Sequence, residues 1–169
     1  MDFEAIGILD STARKHPELL NNAEFRGLRG AARAMARRYK EAQADFSSPV
    51  LADDPASALW RGYAAAKLGQ WIDARSEFQK GLRARGDVDP KWRAAFARAD
   101  AEAAINLGDL TTATNEVALA LALPQSAVDQ LADRLLQARG RELTGETPRA
   151  LAIFDAVATA PIDGLATEA

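Results

Sequence analysis

An internal repeat is the feature that most constrains how this chain can fold. In each of four segments a small residue is followed twelve residues later by alanine, and four residues after that by a bulky apolar residue. Successive segments are 32, 39 and 37 residues apart, and a period in this range is typical of chains built from stacked, equivalent units. The four triplets are Gly30/Ala42/Phe46, Gly62/Ala74/Phe78, Ala101/Ala113/Val117 and Ala138/Ala150/Phe154.

A half copy precedes the four segments. Ala5 and Leu9 stand 37 residues before their counterparts in the first full copy, so residues 2–17 correspond to the second half of a repeat. We therefore expect one repeat domain over residues 1–169, within a fragment of a longer protein. Its parts are the half repeat 2–17 and the repeats 18–49, 54–86, 89–124 and 126–161.

Each repeat is predicted to form two antiparallel helices. The apolar residues recur at the helical period, and all seven prolines fall between the predicted helices, as the missing proline N–H requires. Small residues allow two helix backbones to approach, and stacking of neighbouring pairs buries the apolar face that each pair leaves uncovered. The predicted helix caps are Asp54, Asp89, Asp109, Ser126 and Thr147, and the predicted turn glycines are Gly69, Gly108 and Gly145.

Residues 55–82 carry the most complete copy, with Gly62, the turn residue Gly69, Trp71, Ala74 and Phe78 in order. This segment resembles one tetratricopeptide repeat. Residues 101–124 and 138–161 are similar to it, and residues 25–46 resemble a weaker copy, in which Arg37 takes the place of the turn glycine. The resemblance implies an all-α fold: a right-handed superhelical array of antiparallel helix pairs, a TPR-like α-solenoid of about four and a half repeats.

The first helix of each copy departs from the family pattern. Where the family has a large apolar residue just before the small one, this chain has polar residues. We therefore expect the first helix of each copy to be oriented somewhat differently from that of the family. These residues are Arg29, Arg61, Asp100 and Gln137.

Composition argues against an enzyme and against several kinds of ligand. The chain has no cysteine and one histidine, His16, which excludes thiol nucleophiles, cysteine-ligated metals and multi-histidine metal sites. The net charge of −3 provides no overall basic field for nucleic acid, and no apolar run approaches the roughly 20 residues of a membrane span. We expect no catalytic residues, no cofactor, no metal, no nucleic-acid partner and no membrane segment.

Four arginines are spaced to form one stripe on a single helix, with Leu28, Met35 and Tyr39 on the opposite, core-facing side. The stripe is a candidate site for an anionic partner. The alternative is a solvated face that pairs with nearby acids such as Glu24 and Glu41. The stripe consists of Arg26, Arg29, Arg33 and Arg37.

The family resemblance implies a groove formed by the first helices of successive pairs. Residues just after the small position, and a turn to either side, would face a bound peptide there; the alternative is an unused solvent face. The residues carried over are Tyr63, Lys67, Arg98, Glu102, Asn106 and Arg139.

Two functions remain open from the sequence. The first is a non-catalytic protein-protein interaction scaffold that binds a peptide or a partner protein. The alternative is a structural segment of a larger multi-repeat protein that self-associates, for example as a homodimer, through uncapped end helices.

Overall fold

The computed structural model describes residues 2–160. Pro161, and with it the predicted end of the fourth repeat and of the domain, lies outside the described residues. Within that range the chain is helical and contains no strand, so the predicted all-α class is confirmed. The α-helices are α1 (Asp2–Lys15), α2 (Ala23–Met35), α3 (Tyr39–Phe46), α4 (Pro55–Lys67), α5 (Trp71–Gly81), α6 (Pro90–Asn106), α7 (Leu110–Leu121), α8 (Ala127–Leu143) and α9 (Thr147–Ala158).

Within the described residues three short 3-10 helices supplement them, at Pro17–Asn21, Pro49–Leu51 and Leu82–Asp87. Two of these begin at a proline, and proline also stands at the start of α4, α6 and α9. The fixed φ of proline suits a first helical turn, in which its missing N–H would have no partner. The predicted cap-and-proline starts are observed at α4 and α6, whereas α9 begins one residue before its proline, at Thr147.

Four of the five predicted caps form as expected. The backbone N–H of Ser57 donates to Asp54 at 2.8 Å, and the side chains of Asp89, Asp109 and Ser126 accept the equivalent bonds at α6, α7 and α8. Each bond satisfies an amide that the helix leaves unpaired. The prediction for Thr147 was wrong, because Thr147 is already the first residue of α9.

The same turn closes all four helix pairs. Gly69, Gly108 and Gly145 adopt the left-handed conformation, with φ of 73°, 77° and 81°, which confirms them as the turn glycines. Arg37 occupies the equivalent place between α2 and α3 with a φ of 61°, the one positive φ at a residue other than glycine within residues 2–160. In each turn the next residue donates to a carbonyl five residues back, as from Arg38 to the Arg33 carbonyl at 2.8 Å.

The small and bulky repeat positions pack against each other in the first two copies. A Cβ placed on Gly30 would lie 2.7 Å from Phe46 Cζ, and one on Gly62 would lie 2.9 Å from the Phe78 ring. Only glycine fits these contacts, so the helices of each pair approach closely. This is the packing that the repeat predicts.

The chain divides into two compact units, Met1–Asp87 and Val88–Ala169. The first contains α1 to α5, in which α3 packs against both α2 and α4. The second contains α6 to α9, in which α7 packs against both α6 and α8. Each unit therefore holds two full copies of the repeat, and the single repeat domain over 1–169 stays a prediction.

Candidate functional site

The arginine row is placed differently from the prediction. Arg26, Arg29 and Arg33 lie on α2, but Arg37 follows the end of the helix in the left-handed turn. The row also faces inward, since Arg29 is only 9% exposed. A single-helix stripe of four accessible guanidinium groups is therefore absent from the first unit as the structure describes it.

A buried carboxylate from α3 explains the inward orientation. Asp45 is 1% exposed; it accepts hydrogen bonds from Arg29 Nε at 3.0 Å and from Arg33 Nη1 at 2.7 Å. Arg26 Nη1 lies 3.6 Å from the same carboxylate, and Arg33 Nη2 reaches Asp10 of α1 at 2.6 Å. Buried charges need such partners, because their desolvation is costly. The acids that hold the row are thus Asp45 and Asp10, not the Glu24 and Glu41 considered from sequence.

The apolar side of α2 is exposed as a consequence. Leu28 is 59% exposed and Met35 is also exposed, so the prediction that they meet the core was wrong. Tyr39, at the start of α3, does pack against the core. The prediction assumed that arginines face solvent, whereas carboxylates on neighbouring helices neutralise them in the interior.

The same ion pair recurs in the second copy. Arg61 Nε donates to Glu77 at 2.6 Å, and both this pair and Arg29–Asp45 span 16 residues. Burial alone would raise the pKa of Glu77, but hydrogen bonds and charge from Lys80 and Arg61 outweigh it and lower that pKa. At Arg29 and Arg61, ion pairs therefore replace the large apolar residue of the family that the sequence resembles.

Arg61 also binds the segment that precedes its own copy. Its Nη1 donates to the Leu51 carbonyl at 2.9 Å, and longer contacts reach the carbonyls of Phe46 at 3.4 Å and Ala52 at 3.4 Å. One half-buried side chain thus ties α4 to α5 and to the end of α3.

Two predicted groove residues lie together in the first unit. Lys67 Nζ stands 5.5 Å from the centre of the half-buried Tyr63 ring. The rings of Tyr39 and Trp60 pack edge-on against Tyr63, with centroids 6.1 Å and 6.2 Å away. Edge-on packing fixes the aromatic rings and leaves part of their apolar surface available to a partner.

A groove of about 490 Å³ runs between α2 and α4 beside this aromatic cluster. Exposed Leu28 forms one wall and half-buried Trp60 the other, and Glu24 and Asp54 lie on its border. Trp60 connects the groove to Tyr63. The complete lining is Ala23, Glu24, Gly27, Leu28, Ala31, Leu51, Asp54, Ala56, Ser57 and Trp60.

The other four predicted groove residues belong to the second unit. Asn106 is exposed and donates to the Glu102 carbonyl at 2.8 Å, and Arg139 is exposed on α8. Glu102 is half-buried. That all six residues line one groove stays a prediction.

Arg98, the fourth of these, is engaged by α8. It donates to Asp133, which is fully buried, to Asp129 at 2.6 Å and to Gln125 at 2.7 Å. Burial alone would lower the pKa of Arg98, but the bond and charge of Asp133, with a contribution from Asp129, raise it. Through these bonds Arg98 acts as a clamp between α6 and α8.

Asp45, Glu77 and Asp133 were not among the site residues predicted from the sequence. For the first two a signal existed, since an acidic residue stands directly before Phe46 and before Phe78, always 16 residues after the arginine. Within residues 2–160 no group of three or more histidine, aspartate or glutamate side chains is arranged to hold a metal ion. No helix in that range combines the length and the apolar character needed to cross a lipid bilayer.

Comparison of the chain with protein-family models, with curated proteins and with solved structures found no match in any of the three.

Proposed function

We propose that the protein is a non-catalytic protein-protein interaction module of the tetratricopeptide-repeat type, which binds a peptide segment of a partner protein. The proposal includes a right-handed superhelical array of helix pairs. Its support is the repeated helix pair, closed four times by the same left-handed turn. The observation that carries the function is the groove between α2 and α4, where Leu28 is 59% exposed opposite Trp60.

The chemistry of the groove defines the peptide. Its walls are apolar and aromatic, and an exposed leucine beside a tryptophan in a concave surface is typical of a peptide-anchoring site. Both charged side chains that line it, Glu24 and Asp54, are acidic. Asp54 is engaged as a helix cap, but the Glu24 carboxylate has no hydrogen-bond or ion-pair partner among residues 2–160. The occupant is therefore a segment with one large apolar side chain for the groove and a neighbouring lysine or arginine for Glu24.

The experiment is a selection from a random peptide library displayed on phage, with the whole chain immobilised. Synthetic versions of the enriched peptides are then titrated by fluorescence anisotropy against wild type, Leu28→Asp and Glu24→Gln. We expect enriched peptides that pair an apolar residue with a basic one. Leu28→Asp should weaken them about tenfold or more, because it places a charge against the apolar anchor.

Ile72→Asp is the matched control. Ile72 lies on α5 of the same unit, is 73% exposed and does not line the groove. It should leave the dissociation constant within about twofold, since an exposed substitution away from the site has little effect. Equal losses in the two variants, or a library that yields no saturable binder, would refute the proposal.

Self-association is the second candidate, with another copy of the chain as the partner. The observation that favours it is an apolar stripe on α8, where exposed Val128 and Leu135 flank half-buried Leu131 at spacings of three and four residues. The α8 stripes of two copies can pack against each other as the helices of a two-stranded coiled coil do. Light scattering coupled to gel filtration should then show a dimer that grows with concentration and is absent in Leu135→Glu. A monomer at every concentration contradicts this candidate.

A further inference from the structure

The second unit contains a cavity of about 300 Å³ at the junction of α6, α7 and α8. Its wall is apolar on one side, with Ile105, Val117 and Leu136, and polar on the other, with Gln137 and Arg141. Cavities of this size and mixed lining are typical of small-molecule sites. The remaining lining residues are Ala113, Thr114, Ala118, Gly140, Thr144 and Glu146.

The internal repeat shows where the lining of this cavity is smaller than in the first unit. Phe46 on α3 and Ala64 on α4 belong to one buried cluster and are 1% and 0% exposed. Val117 stands at the position of Phe46, and Gly140 at the position of Ala64. Two of the positions that line the cavity therefore carry smaller side chains than their counterparts in the first unit.

The space beside Gly140 is open in the structure. A Cβ built on this helical glycine would meet no atom within 4 Å outside its own helix and chain neighbours. Glycine inside a helix costs about 1 kcal/mol relative to alanine, and here no close neighbour requires it. The apolar part of the lining suits a small aromatic ring, because water gains few hydrogen bonds against it.

The polar side of the cavity favours an anion. Arg141 Nη1 donates to Glu146 at 3.0 Å, and Arg149 donates to the same carboxylate oxygen at 2.7 Å, so two guanidinium groups share one acid. The other N–H groups of the Arg141 side chain, and the Gln137 amide, have no hydrogen-bond partner among residues 2–160. These donors are available to a carboxylate at the rim of the cavity.

We propose that this cavity binds a monocyclic aromatic carboxylate, with its ring against Val117 and Gly140 and its carboxylate on Arg141 and Gln137. The site is independent of the peptide groove in the first unit. It adds a small-molecule ligand to a module for which the sequence indicated only a protein partner.

Phenylacetate is the probe, titrated into the whole chain and followed by amide chemical shifts in NMR spectra. We expect saturable shifts at Thr114, Ala118 and Thr144. The dissociation constant should be on the order of 1 mM, because a ligand of so few atoms can gain only a limited binding free energy. Val117→Phe combined with Gly140→Ala adds a phenyl ring and a methyl group at two lining positions and should weaken binding about tenfold or more. If circular dichroism shows that this variant does not fold, Gly140→Leu fills the same space with a good helix former.

Two comparisons separate the ring from the carboxylate. Gly7→Ala is the control for the glycine change, because Gly7 is also helical with no atom near its Cβ, and it should bind as wild type does. Arg141→Gln should weaken phenylacetate about tenfold, the value of a charge-assisted bond, and leave neutral phenylacetamide unchanged. Shifts that grow without saturation, or undiminished binding in the filled variants, overturn the proposal, and equal affinity for phenylacetamide overturns its carboxylate part.

Discussion

Arg37 stands where the other three helix pairs have glycine, and Arg37→Gly should stabilise the protein. Its φ of 61° costs a side-chain-bearing residue about 1–2 kcal/mol. Glycine removes that strain but loses about 0.5–1 kcal/mol through the extra freedom of the unfolded chain. The Arg37 side chain is exposed and makes no hydrogen bond or ion pair within the described part of the chain, so no contact is lost with it.

The expected gain in the free energy of unfolding is about 0.5–1 kcal/mol, measured by urea denaturation followed by circular dichroism. For a chain of this length it corresponds to a rise in melting temperature of about 1–4 °C. Arg37→Ala is the control, because it removes the guanidinium and keeps the Cβ, and it should stay within about 0.5 kcal/mol of wild type. A midpoint for Arg37→Gly at or below that of Arg37→Ala would show that the turn is not strained.

Two further predictions concern charged groups. Asp133→Ala should destabilise the chain by about 3–5 kcal/mol in urea denaturation, because it leaves Arg98 without its fully buried partner. The Asp129 side chain is 37% exposed, so Asp129→Ala should cost only about 1 kcal/mol. Equal losses in the two variants would contradict the role of Arg98 and Asp133 as a clamp. The pKa of Glu77 is lowered in the folded state, so its contribution to stability is present above the unfolded pKa of about 4.3 and is lost as the pH falls through the folded value. Between about pH 5 and pH 3, Glu77→Gln should therefore lose less stability than wild type, and parallel pH profiles would refute this.

Local interactions made most of the fold predictable. Caps such as Asp54, prolines such as Pro90 and turn residues such as Gly69 act within a few residues, so the sequence displays them directly. The close contact of Gly30 with Phe46 was also accessible, because the repeat shows the same two positions again in the next copy. Most of the local or repeated signals therefore agree with the structure, and the cap at Thr147 is the exception.

The surfaces were less predictable, because they depend on charge neutralisation between helices. Nothing on α2 itself shows that Arg29 turns inward; its partner Asp45 lies on α3. Because the arginine side of α2 turns toward Asp45, with Arg29 buried, Leu28 faces solvent and lines the groove. The cavity beside Gly140 was missed for a related reason, since its lining comes from α6, α7 and α8 together and no single helix shows it.

The contacts of Arg61 have a consequence for how the first unit opens. This one side chain holds Glu77 of its own copy, the Leu51 carbonyl between the two copies and, in a longer contact, the Phe46 carbonyl at the end of α3, so the contacts of α4 with α5 and with the end of α3 share one guanidinium group. In arrays of repeats, such links between neighbours set the cooperativity of unfolding. The first two copies should therefore exchange their amide hydrogens as one event, and truncation of Arg61 would let the first copy fray while the second stays closed.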